Sequence, residues 1–118
     1  MKQLLSIIAV IILLSGISFA QDPVKVDPKH YKVEFENDQV RVLRITYNPG
    51  EKGVMHSHPD GMVITLNDAK GKFTFPDGKT MDVNFEAGAF RWVEAQTHQG
   101  ENVGEEPFEV IQIEMKKK

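Results

Sequence analysis

The chain has no cysteine. No disulfide, thiolate metal site or cysteine nucleophile can therefore be built from it. It also lacks an excess of either charge: 14 Lys and Arg stand against 17 Asp and Glu, a formal net charge of -3, and no block of like charge is longer than Lys116 to Lys118. That leaves no electrostatic footprint for nucleic acid, so no nucleic-acid partner is expected. Beyond residue 20 leucine occurs only as Leu43 and Leu66, and no window of ten or more residues carries an apolar stripe at helical spacing. An all-helical fold is thereby excluded, and 118 residues leave room for one domain.

A long apolar run is present only at the start. Lys2 is the sole charge among the first twenty residues, and Ile7 to Leu14 is eight apolar residues without a break. A bilayer span needs ~20, whereas this segment is interrupted by Ser15, Gly16 and Ser18 and ends in the small-x-small sequence Ser18-Phe19-Ala20. It reads as a cleavable signal peptide, residues 1–20, with cleavage between Ala20 and Gln21. An uncleaved N-terminal anchor is the alternative. Export implies a periplasmic or secreted protein with no stable membrane insertion after cleavage.

Residues 21–30, with Pro23 and Pro28, read as an extended N-terminal arm. From residue 31 to 118 the texture is that of a single domain of short strands. Tyr31, Val33 and Phe35 alternate with charged residues, and Met81, Val83 and Phe85 alternate with Thr80, Asp82 and Asn84 beyond a Pro76-Asp77-Gly78 turn, which predicts a hairpin. Between Val40 and Tyr47 the apolar phase shifts from Val40 and Val42 to Leu43, Ile45 and Tyr47, predicting a bulge or a strand covered on both faces. Eight to nine such strands predict an all-β fold, a small antiparallel β-barrel that removes its edges by closure. Polar residues facing the interior of such a barrel are where chemistry is sought.

Three of the four histidines form a pattern: His56 and His58 are two apart, and His98 follows forty residues later. Residues i and i+2 of a strand project from one face. Two imidazoles side by side, closed by a third from another strand, suit one divalent metal ion per chain and leave coordination positions open. The alternative is a metal-free barrel with a polar mouth. His30, beside Lys29 and in no motif, reads as solvated.

The surrounding residues resemble the cupin family. Gly50, five residues and His56-Ser57-His58 are similar to its first motif, and Gly88, five residues, Glu94-Ala95-Gln96, Thr97, His98 and Asn102 echo its second with Pro and Gly replaced and one residue missing. The resemblance covers Gly50 to Asn102 and implies a cupin-type jelly roll. More narrowly, Val33 to Asn37, Arg41 to Arg44, His56 to Pro59, Phe73 to Gly78 and Glu101-Asn102 look like small stand-alone cupins described as beta-alanine degradation proteins. Nothing in the composition or spacing points to beta-alanine.

The departure from the pattern is informative. The resemblance places a metal-binding Glu at Met62 or Val63, and neither is a carboxylate. A three-His centre is similar to the thiol dioxygenase branch of cupins, in which substrate and oxygen share the open sites. It is equally compatible with a degenerate site. Gln96 and Asp60 are candidates for a weak fourth ligand. Arg44, Met62, Phe73, Phe75 and Trp92 are candidate pocket-lining residues, with core packing the plainer role for the apolar ones. Arg44 and Arg91 are the arginines whose fork, if it faces inward, would bind a carboxylate. The metal, whether Fe, Zn, Cu, Ni or Mn, is not fixed by these residues. The functional expectation is a metal-dependent protein that acts on a small-molecule substrate, with dioxygenase-like activity if the ion is iron. The alternative is a non-catalytic barrel that binds a metal or small ligand. A homodimer fits either, because two-fold pairing is the commonest symmetry.

Overall fold

The computed structural model describes residues 21–117. The expected signal peptide lies outside the described residues. One helical turn, α1 (Pro23–Val26), precedes nine strands: β1 (Tyr31–Glu36), β2 (Val40–Tyr47), β3 (His56–His58), β4 (Gly61–Thr65), β5 (Ala69–Thr74), β6 (Thr80–Phe85), β7 (Phe90–Val93), β8 (Gln96–Asn102) and β9 (Phe108–Met115). Every strand pairing among the described residues is antiparallel. The strands divide into a five-stranded sheet, β1-β2-β9-β4-β7, and a four-stranded sheet, β3-β8-β5-β6. The expected all-β, antiparallel architecture is thus present as two sheets.

The core lies between them. On β2 the buried residues are Leu43, Ile45 and Tyr47, which β9 meets with Phe108 and Val110 and β1 with Tyr31. Alternation places these side chains on the inner face, since successive strand residues point to opposite faces. The second sheet reaches the same core through Phe85, whose ring lies 4.8 Å from that of Phe108. Each such burial stabilises by about 1.5 to 3 kcal/mol. Six buried apolar residues make a small core among the described residues, so polar ties carry part of the organisation.

The predicted hairpin forms: β5 and β6 pair from Ala69↔Phe85 to Thr74↔Thr80. Gly78 closes it with φ 88°, a backbone state that costs a Cβ-bearing residue but not glycine. The phase shift in β2 has another origin than the one expected. β2 runs in unbroken register against β9, from Val40↔Met115 to Tyr47↔Phe108, and the irregularity falls on β1 between Val33 and Phe35. Val40 and Val42 belong to the outer face, where they are half-buried.

Residues 21–30 are not an extended arm. Asp22 caps α1 by accepting a hydrogen bond from Val24 N at 3.0 Å, with Pro23 at the first helical position, where its missing N–H costs nothing. The segment is tied inward: Ser57 N donates to Gln21 O at 2.8 Å, and Asp22 takes the Arg41 guanidinium in a two-bond fork at 3.0 Å. His30 is correspondingly buried and not solvated. Its Nδ1 lies 2.8 Å from Asp27 Oδ1, and its ring stacks on Tyr47 at 4.0 Å.

Candidate metal centre

Strands β3 and β8 build the site by register alone. His56 stands directly opposite His98, and His58 directly opposite Gln96. Opposed residues of an antiparallel pair project from the same face, so the four side chains form a two-by-two patch turned toward the five-stranded sheet. The histidines are 0, 4 and 6% exposed for His56, His58 and His98. Ring centroids lie 4.7 Å apart for His56 and His58, 4.9 Å for His56 and His98, and 5.3 Å for His58 and His98. One ligand nitrogen from each falls within 4.8 Å of the other two.

Partners fix one ring nitrogen each of His56 and His58. His56 Nδ1 donates to Val54 O at 2.7 Å, which leaves Nε2 as the lone-pair nitrogen, buried and without a hydrogen-bond partner. His58 Nδ1 meets Glu114 Oε2 at 2.7 Å. Arg41 Nε donates to the other oxygen of Glu114 at 2.8 Å. His98 stacks on Phe73 at 4.4 Å and has a buried Nδ1 without a partner. Buried imidazole nitrogens are rarely left unpaired. Two in one cluster are what a set of metal ligands looks like without its ion.

Electrostatics points the same way. Burial above all, with the nearby His58 next, pushes His56 down to about 4. Burial, then His58 and His56, pushes His98 down to about 3. Both are neutral at physiological pH, the form that binds metals. For Glu114 burial acts to raise the carboxyl, but the hydrogen bonds from His58 and Arg41 together outweigh it and hold the group below the usual carboxylate range. The Tyr31 and Tyr47 phenols, bonded to each other at 2.9 Å, are raised chiefly by burial and stay neutral.

The fit to an ion is therefore good. Three imidazoles converge, two of them with their outer nitrogens committed elsewhere in the manner that orients metal-ligating histidine. The sequence-predicted candidates sort clearly around them. Gln96 lines the cavity beside His58 and His98, as does Phe73. Asp60 does not join: its Oδ1 accepts from Ala95 N at 2.7 Å and its carbonyl from Met115 N at 2.9 Å, so it fastens two turns. Arg44 points outward into an ion-pair row with Glu34 and Glu109. Met62 and Trp92 are cross-strand partners in phase with the outward-facing Ile113, and Trp92 is half exposed. Phe75 lies past the end of β5, away from the cavity. Where the carboxylate ligand was sought, Val63 faces the cavity and offers no donor.

Sequence reasoning missed Glu114 and Gln112. Both are buried on the inner face, in phase with Phe108 and Val110 along β9. Two polar residues continuing the apolar phase of a strand are a readable signal for an interior polar site. The buried pair Asp27 and His30 was missed as well, and no local pattern announces it. Asn102 is fully buried, donating to Tyr47 O at 3.0 Å and Glu106 O at 2.8 Å. It pins the C-terminal end of β8, the strand whose other end carries His98.

No family profile and no curated protein matches the chain in sequence. Solved structures do match in shape. A cupin domain from Bordetella pertussis Tohama I superposes with a TM-score of 0.68 at 22% identity, covering 74% of this chain and 92% of that one. A cupin family protein with a double-stranded β-helix fold from Methanocaldococcus jannaschii gives 0.58 at 15% identity over 72% of this chain and 77% of its own. A protein with a double-stranded β-helix domain from Klebsiella pneumoniae gives 0.57 at 19% identity over 75% and 84%. With these likenesses the fold has a name: this chain has the cupin fold, the double-stranded β-helix.

Proposed function

We propose that this chain is an exported protein that holds one divalent metal ion at His56, His58 and His98 and uses its open coordination positions to engage a small molecule. The observation that supports it is the convergence of three buried imidazoles, within 4.8 Å, two of which carry unpartnered buried nitrogens. Bound there, a divalent ion supplies Lewis-acid polarisation of a ligand atom, and iron would add dioxygenase-type chemistry.

The chain's own residues orient and exclude. Val54 O and Glu114 fix the ring planes of His56 and His58. Tyr31 and Phe73 wall the cavity. No free acid or base faces the ion among the described residues: Glu114 is committed to His58 and Arg41, and the two phenols stay neutral. That favours ligand binding and metal-borne chemistry over proton transfer by a side chain. Oxygen uptake by the iron-loaded protein with a panel of thiols and diketones separates the two readings. Substrate-dependent uptake supports the dioxygenase reading, whereas stoichiometric binding without turnover supports a binding protein.

A homodimer belongs to the same proposal. Phe35, Val42, Ile113, Met62 and Trp92 are successive cross-strand partners over all five strands of the first sheet, and Phe35 and Trp92 are 54 and 52% exposed. Such an apolar row suits a second copy by two-fold pairing. Sedimentation showing a monomer at all concentrations would remove it. Export is tested by the mature N-terminus of protein recovered from cell fractions: Gln21 is expected, and an intact Met1 in the membrane fraction would overturn it.

A further inference from the structure

The chain contains three arginines, and the structure treats one of them differently. Arg41 is held by Asp22 and Glu114, and Arg44 by Glu34 and Glu109. Arg91 forms no ion pair among the described residues. Like Arg41, it lies in phase with the inner face of its sheet. On β7 its neighbour Trp92 is 52% exposed on the outer face, while Arg91, itself solvent-exposed, opposes Val63, which in turn opposes the buried Gln112. The row Gln112, Val63, Arg91 therefore crosses the inner face from the core to its rim.

Two cavities meet at this rim. The inner one, about 50 Å³, contains His58 and His98 in its wall together with Gln96 and Gln112. The outer one, about 200 Å³, is a cleft between β7 and β6, walled by Asn84, Phe85, Glu86 and Phe90; Glu86 is not within ion-pair distance of Arg91. Val63, Phe85 and Arg91 line both. Arg91 thus stands at the passage between solvent and the histidines. A water molecule's share of liquid volume is about 30 Å³, so only a group of a few heavy atoms fits the inner chamber, and the remainder of a ligand lies in the cleft.

We propose that the small molecule engaged at the three-His centre is a short-chain carboxylate, with its carboxylate held in the fork of Arg91 and its other end in the inner chamber. This rests on the metal reading above. The remaining wall of the inner chamber is aromatic, aliphatic or amide, so Arg91 is the cationic side chain lining it. A guanidinium with no protein carboxylate to satisfy it, at the mouth of a largely apolar chamber, matches a carboxylate bidentately, and a lysine does not reproduce that fork. Gln112 and Gln96 supply amide groups deeper in.

The test is calorimetric titration of the full zinc-loaded protein with acetate, propionate, butyrate and pentanoate, each beside its primary amide. At least one carboxylate is expected to bind tenfold or more tightly than its amide. Arg91→Gln should abolish that preference while leaving amide binding unchanged, Arg91→Lys should restore it in part, and Arg44→Gln should leave it intact. Circular dichroism melts establish that each variant is folded. Equal binding of acids and amides, or a preference that survives Arg91→Gln, overturns the proposal. Zinc content is measured on the same samples. Stoichiometric zinc without a carboxylate preference overturns this inference alone. Absence of zinc overturns the metal reading, and the carboxylate series is then judged by the same criterion on the metal-free protein.

Discussion

Glu114 stands directly behind His58: one carboxylate oxygen lies 2.7 Å from His58 Nδ1 and the other accepts from Arg41 Nε at 2.8 Å. A carboxylate thus reaches the three-His cluster from β9, with the His58 ring between it and the ligand nitrogen. Carboxylate partners of this kind orient a ligating imidazole and raise its basicity, and losing one typically costs 10- to 100-fold in metal affinity. Glu114→Gln should weaken zinc binding by about that factor while leaving one zinc per chain at saturation. Competition titration against a chromophoric chelator measures it, and an unchanged affinity would show that the pair is only structural.

The metal-free protein should lose stability as pH falls. His56 and His98 carry folded-state values of about 4 and about 3, below an unfolded value of about 6.5. Between those limits the unfolded chain binds protons that the folded chain refuses. Stability is therefore fully present above pH ~6.5 and declines as pH drops toward ~4, with the lowered Glu114 adding loss in the same direction at the acid end. The expected fall from pH 7 to pH 4 is on the order of 3 kcal/mol or more. Urea midpoints in chelator across this range test it; a flat profile would contradict neutral buried imidazoles.

His30 is structural. Removing it leaves Asp27, 5% exposed, without the imidazole 2.8 Å away and takes the stacked ring from Tyr47. His30→Ala should cost about 3 kcal/mol and leave the zinc stoichiometry unchanged once folded. Chemical denaturation together with elemental analysis separates the two effects, and metal loss in the folded variant would assign His30 to the centre.

Gly61 lets β4 approach β9. A Cβ there would stand 2.1 Å from the backbone carbonyl oxygen of Ile113, which cannot swing aside as a side chain would. Gly61→Ala should cost about 1 to 3 kcal/mol and displace Val63 from the cavity wall. Denaturation midpoints check the first effect, and a midpoint matching the unsubstituted protein would show that β4 has room to move.

The strands were legible because their signals are local. Alternation in Phe73 to Phe85 and the Pro76-Asp77-Gly78 turn require only neighbours, and the hairpin formed as expected. His56, His58 and His98 were legible because strand geometry puts i and i+2 on one face, and the intervening hairpin returns β8 beside β3. What stayed hidden depends on contacts distant in sequence. Arg44 and Arg91 are both flanked by apolar residues, and only the pairing of β2 with β1 and β9, and of β7 with β4, decides that Arg44 meets Glu34 and Glu109 while Arg91 meets the cavity. His30 was read as solvated because nothing adjacent to it shows that Tyr47, sixteen residues beyond Tyr31, stacks against it. No carboxylate ligand stands at Met62 or Val63, and the carboxylate that orients His58, Glu114, is brought from β9 by sheet register.

The central claim is a metal bound by three histidines, and metal content tests it most directly. The protein would be purified without chelator or affinity histidines, reloaded separately with iron, zinc, copper, nickel and manganese, and assayed by elemental mass spectrometry beside His56→Ala and His98→Ala. The account predicts near-stoichiometric retention of at least one ion, lost in both variants while their circular dichroism stays that of the folded chain. No retention of any ion, or retention undiminished in either variant, would contradict it.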